Sequence, residues 1–136
     1  MVFPATTAVF AALLALLYVG LAGWVVAARV QRDVLHGDGD DPDVRKRIRS
    51  HANFGEYVPL ALLLVALLEA GGGSRALVLG LMVVLLVGRL LHPVGMFAAP
   101  NSPRQFICRG GGILSTLLVL VVAAITLLVR HSGAVV

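Results

Sequence analysis

Apolar and polar positions alternate along this chain in long blocks. Four runs of Leu, Val, Ala and Gly, each near or above the roughly 20 residues that cross a bilayer as a helix, are separated by short polar connections. The runs are continuous rather than alternating, which favours helices over strands. The pattern predicts helices over about 6–28, 42–70, 75–98 and 106–130, in one domain over 1–136. The second is unusual, because the apolar part of that helix occupies only its second half. The connections are legible too. "LHGDGDDPD" (35–43) is a Gly- and Asp-rich loop, and Asp41 before Pro42 reads as an N-cap with proline at the first helical position. "GGGS" (71–74) is a tight turn, and Pro100 and Pro103 break the third connection.

Composition agrees with lipid as the solvent. The chain is 59% hydrophobic and 13% charged, more apolar surface than a soluble domain of 136 residues can hide. The expected class is all-α integral membrane, a bundle of four transmembrane helices. Residues 1–28 carry no charge, so they lack the positive n-region of a cleaved signal and read as a retained helix. A single cysteine, Cys108, excludes an intrachain disulfide framework.

Charge then orients the bundle. Arg29, Arg32, Arg45, Lys46, Arg47, Arg49, Arg104 and Arg109 flank the first and third connections, against Arg75 and Arg130 on the other side. Eight against two predicts cytoplasmic first and third connections and both termini outside. This basic charge is a topology signal, and no nucleic-acid partner is expected. Trp24 fits either an interfacial aromatic belt or a place between helices.

The candidate chemistry lies in "RSHANFGEYVP" (49–59). At about 100° per residue, Arg45, Arg49, Asn53, Glu56 and Leu60 fall at roughly −40°, 0°, +40°, −20° and +20° around the helix. One narrow stripe therefore carries two guanidinium groups, an amide and a carboxylate into the membrane. Arg49 snorkelling and a purely structural ion pair are the plain readings. Against them, an ionisable group at membrane depth costs on the order of 2.5–3.5 kcal/mol and usually marks function. Arg89 in "GRLLHPVGM" is the expected intramembrane partner of Glu56. Pro59 should loosen its helix. His92 has no second His or Cys at ligand spacing, so no metal site is expected. "RGGG" (109–112) puts an arginine beside glycines that permit close helix approach.

Together these residues resemble the MAPEG family, membrane-associated proteins in eicosanoid and glutathione metabolism. "RSHANFGEYVP" fits that family's R-x-x-x-N-x-x-E followed by Pro, with "HGDG" before it, "GRLLHPVG" in the third helix and "RGG" opening the fourth. The likeness is to the short bacterial branch and covers nearly the whole chain. It implies a homotrimer with a glutathione site between subunits near the cytoplasmic side, in a bacterial inner membrane. It implies that Arg49, Asn53, Glu56, Tyr57, His51, Arg89 and, more weakly, Arg29 bind the tripeptide. It implies that Arg109 activates the thiol, with Arg104 as the alternative. The activity implied is a glutathione transferase for detoxification of lipid-soluble electrophiles, with peroxidase activity on lipid hydroperoxides as a variant. A non-catalytic lipid-binding or scaffold protein on the same fold is the alternative, and a small four-helix exporter is a third. Met96 stands where the eicosanoid enzymes carry a tyrosine. Ten of the eleven basic residues are Arg, whose forked donors suit the two carboxylates of glutathione. Some GC-rich bacteria use other low-molecular-weight thiols, and the Ala-, Val-, Leu- and Arg-rich composition keeps that choice open.

Overall fold

The computed structural model describes residues 2–132. Its elements are α1 (Ala5–Gln31), α2 (Pro42–Ala70), α3 (Arg75–Met96), a single π-helical turn (Gln105–Gly110) and α4 (Gly111–His131). No strand occurs among the described residues. Four helices are long and apolar enough to cross a membrane: α1, α2, α3 and the combined turn and α4. The predicted bounds hold to within a few residues, and α3 stops at Met96 rather than near 98. The π-turn at the start of the fourth span was not expected.

Local chemistry sets the helix ends. The Asp41 side chain accepts from the backbone N–H groups of Asp43 (2.8 Å) and Val44 (3.1 Å), with Pro42 at the first position. The predicted N-cap is therefore present. These two N–H groups, Val44 first, hold the Asp41 carboxyl below its ordinary value, and Arg32 adds to them. The turn after α2 needs Gly72 at φ 76, a left-handed conformation. Both Pro59 and Pro93 lie inside continuous helices. Pro59 has no N–H, so it cannot donate to the carbonyl of Gly55 one turn earlier.

The core runs down the middle of the bundle. Leu14, Val58, Ala61, Val65, Met82, Leu85, Val119 and Ala123 are fully or almost fully buried within it. Outward, large side chains such as Leu16, Leu63, Leu114 and Leu128 are exposed. In water this pattern would be an aggregation hazard; in lipid it is the expected exterior.

Where α3 meets α4, glycines set the distance. A Cβ on Gly112 would lie 2.7 Å from the Gly88 carbonyl oxygen and 3.0 Å from the His92 Cβ. A Cβ on Gly95 would collide with the Arg109 backbone. The expected close approach is thus real, but of the three glycines after Arg109 only Gly112 makes it, since Gly110 and Gly111 face open space.

Candidate functional site

The site is organised by two turns of α2 against α3 and the start of α4. Asn53 sits at about +40° on α2 and faces α3, whereas Glu56 sits at about −20° and points away. Arg89 lies opposite Asn53, 2% exposed. Its guanidinium donates to Asn53 Oδ1 at 2.8 Å and to the Gly112 carbonyl, while its Nε is buried without a hydrogen-bond partner. Thr116 Oγ1 also donates to the Gly112 carbonyl, at 2.9 Å. A short hydrogen-bonded chain therefore ties α2, α3 and α4 together at one level.

The expected Glu56–Arg89 pair is not formed. Glu56 instead pairs with Arg49 on its own helix, Nη1 to Oε1 at 3.7 Å. The reason is angular. The 60° or so between Asn53 and Glu56 gives the inward place to the amide, and the carboxylate is left on the open side with Arg49. A neutral amide facing a buried guanidinium also spares the desolvation of a second charge.

The other candidates divide between two sides of α2. Tyr57 is half-buried and joins Asn53, Arg89, Ile113 and Thr116 around a space too tight for a water. His51 lies on the α1 side, stacked on Tyr18 with ring centroids 4.4 Å apart. Arg29, at the end of α1, meets Arg45 and Arg49 around a cavity of about 460 Å³ that Asp38 also lines. Arg45 pairs with Asp38 and, at 3.6 Å, with Asp40. The hydrogen bond from Arg45 holds the Asp38 carboxyl below its ordinary value.

Arg109 lies in the π-turn, one residue before its end at Gly110, with its backbone against Gly95 and its side chain exposed. Gly95 shares the buried face of α3 with Arg89 and His92. Arg109 thus enters one turn above Gly112, whose carbonyl Arg89 holds. Arg104 precedes the turn and is exposed. Neither arginine makes an ion pair among the described residues. Cys108 is half-buried and free. Trp24 packs between helices: it meets Phe97 at 5.0 Å, Arg47 lies over its ring, and Arg47 Nη1 donates to its carbonyl at 3.2 Å.

One polar group escaped the sequence reading. Glu69, at the far end of α2, accepts from the Thr6 N–H (2.9 Å), the Thr7 N–H (2.8 Å) and the Thr7 hydroxyl (2.7 Å). It caps α1 from another helix. The signal was available in retrospect: α1 opens with Pro4 and offers no side-chain cap of its own.

Comparison with known proteins fits this arrangement. The chain is similar to the inner membrane protein YecN of Escherichia coli K12, 36% identical over 120 residues, covering 86% of this chain and 88% of that protein. The YecN of E. coli O6:H1 strain CFT073 matches to the same extent. No solved structure matches the chain significantly. The MAPEG family model matches residues 7–129. A match over nearly every residue, on four spans joined at a buried Arg–Asn contact, leaves one assignment: the chain belongs to the MAPEG family.

Proposed function

We propose that this protein is a membrane-bound glutathione transferase that activates a thiol for attack on a lipid-soluble electrophile. The observation that carries the reading is the incomplete arginine end of the bundle. Arg49 is 58% exposed on its side chain and held only by a 3.7 Å pair to Glu56. Asn53 is fixed by Arg89 through its carbonyl oxygen, so its amide N–H groups remain available. Fixed, partly unsatisfied donors beside an open arginine suit a peptide with two carboxylates.

In this reading Arg49, Asn53, Glu56 and Tyr57 hold the tripeptide. Arg89 positions Asn53, and Arg29 and His51 border the site from the α1 side. Arg109 lies beside the sulfur. The thiol gives its proton to solvent, and the guanidinium stabilises the thiolate, the true nucleophile. Sulfur then forms a bond to the electrophilic carbon, and the leaving group departs with its electron pair. Apolar helix faces keep the electrophile in line. A homotrimer with the site at the subunit boundary would cover both the open side of the stripe and part of the apolar exterior. The reading further places the protein in a bacterial inner membrane, with the arginine-rich connections cytoplasmic.

Thermal-shift measurement with a panel of cellular thiols, followed by conjugation of an activated aryl halide in detergent, tests this. Glutathione should raise the melting temperature, and Arg109→Ala should slow conjugation by about 100-fold while leaving thiol affinity nearly unchanged. Stabilisation by glutathione with no turnover would favour the lipid-binding scaffold instead.

A further inference from the structure

The α1 side of α2 holds an apolar cavity that the thiol reading does not use. It measures about 280 Å³ and lies between the two helices within their membrane-spanning parts. Buried Leu14, Phe54 and Val58 form its floor. Exposed Ala15, Tyr18, Gly55 and Pro59 surround its mouth on the surface of the bundle. The Tyr18 ring closes the end towards the arginines. It stacks on His51, centroids 4.4 Å apart, and lies 5.3 Å from the Phe54 ring. That stack separates the cavity from the thiol site.

Two polar groups meet in its otherwise apolar wall. Pro59 has no N–H, so the Gly55 carbonyl loses the donor that closes an ordinary helical turn. That carbonyl points along the axis towards Pro59, and both residues line the cavity, so the oxygen lies at its wall. The Tyr18 hydroxyl makes no hydrogen bond among the described residues. It stands 3.5 Å from where a Gly55 Cβ would be. Lipid supplies no water to such groups, so a carbonyl short of its donor beside a free hydroxyl is costly at this depth.

We infer that this cavity binds a lipid-soluble phenol of about two rings. Its hydroxyl donates to the Gly55 carbonyl and accepts from the Tyr18 hydroxyl, and its rings lie over Leu14, Phe54 and Val58. An apolar cavity of about 150 Å³ takes benzene, so this one has room for a two-ring body. The Tyr18 and Phe54 rings at its border favour an aromatic one. An acyl chain would cover the floor and leave both polar groups unpaired. An ether or a ketone would accept from Tyr18 and leave the carbonyl without a donor. The inference does not depend on the thiol reading.

The test is equilibrium dialysis of the full-length protein in detergent against protein-free micelles, with 1-naphthol and 1-methoxynaphthalene as probes. The methoxy compound keeps the rings and the acceptor but has no proton to donate. 1-Naphthol should bind saturably and about tenfold more tightly than the methoxy compound. Tyr18→Phe, which keeps the ring stack, should weaken 1-naphthol binding about fivefold. Pro59→Ala restores an N–H to the Gly55 carbonyl, so it should abolish the preference for the hydroxyl and leave the methoxy compound little changed. If Pro59→Ala straightens the helix and weakens both probes alike, or fails to fold, Tyr18→Phe decides. Equal binding of the two probes to wild type overturns the inference, because a bridging water or a plain apolar surface would give that result. Full 1-naphthol affinity in Tyr18→Phe also overturns it. So does a change of oligomer mass in Ala15→Leu in place of lost 1-naphthol binding, which would make the mouth a subunit contact. Glutathione titrated into the same samples reads the thiol site separately.

Discussion

The two ends of the bundle use the same residue types in opposite ways. At the end where α1 begins, two charges close on helix termini. Glu69 takes the Thr6 and Thr7 N–H groups of α1, and Arg130 donates to the Gly71 and Gly72 carbonyls after α2 at 3.0 and 3.1 Å. At the other end guanidinium groups stay incomplete. The Nε atoms of Arg29, Arg47 and Arg89 are buried without partners, and Arg49 is mostly exposed. Buried polar groups are normally satisfied, and this cluster of unmade bonds is what the proposed thiol site rests on. One end fastens the fold, and the other keeps guanidinium donors without partners.

Substitutions should break the two ends differently. The largest effect is expected at Arg89→Ala, which orphans Asn53 and removes the link to the Gly112 carbonyl. The cavity left by a buried side chain and the two unpaired acceptors should cost about 2–5 kcal/mol in thermal or denaturant unfolding in detergent, with loss of thiol binding. Arg89 alone should serve both fold and site. Next is Gly112→Ala. Its Cβ would press on the Gly88 carbonyl oxygen, and forcing α3 from α4 should cost about 1–3 kcal/mol, read as a lower melting temperature.

Glu69→Gln comes third. It keeps one acceptor but loses the charge at the α1 terminus, a cost of about 1 kcal/mol, with thiol affinity unchanged. A fall in thiol affinity there would blur the distinction between the ends. The smallest effect concerns pH. Asp38 and Asp41 have carboxyls held below their ordinary values, by Arg45 and by the Val44 and Asp43 N–H groups respectively. Their contribution is complete above the unfolded carboxylate value of about 3.9 and fades as pH falls through the lower folded values. Melting temperature should therefore show no loss from this loop between pH 7 and 5. An early decline would mean that these pairs do not form.

How much of this was legible depends on distance along the chain. The spans, the Asp41–Pro42 cap and the α2 stripe are local patterns, and periodicity gives them directly. The Glu69 cap on α1 joins residues more than sixty positions apart, and no spacing encodes it. The partner of Arg89 was misjudged for a related reason. Opposite charge suggested Glu56, but the rotation of α2 against α3 awards the contact to Asn53. The π-turn before Gly111 follows the backbone contact between Arg109 and Gly95, which is again a matter of packing.

The central claim is that the open arginine end holds an anionic thiol peptide. Isothermal titration of glutathione into the solubilised protein tests it most directly, using wild type, Arg49→Gln and Glu69→Gln side by side. The account predicts saturable binding by wild type, a loss of about tenfold or more in Arg49→Gln and none in Glu69→Gln. Absence of binding by wild type to glutathione and to every other cellular thiol tried, or an equal loss in both variants, would contradict it.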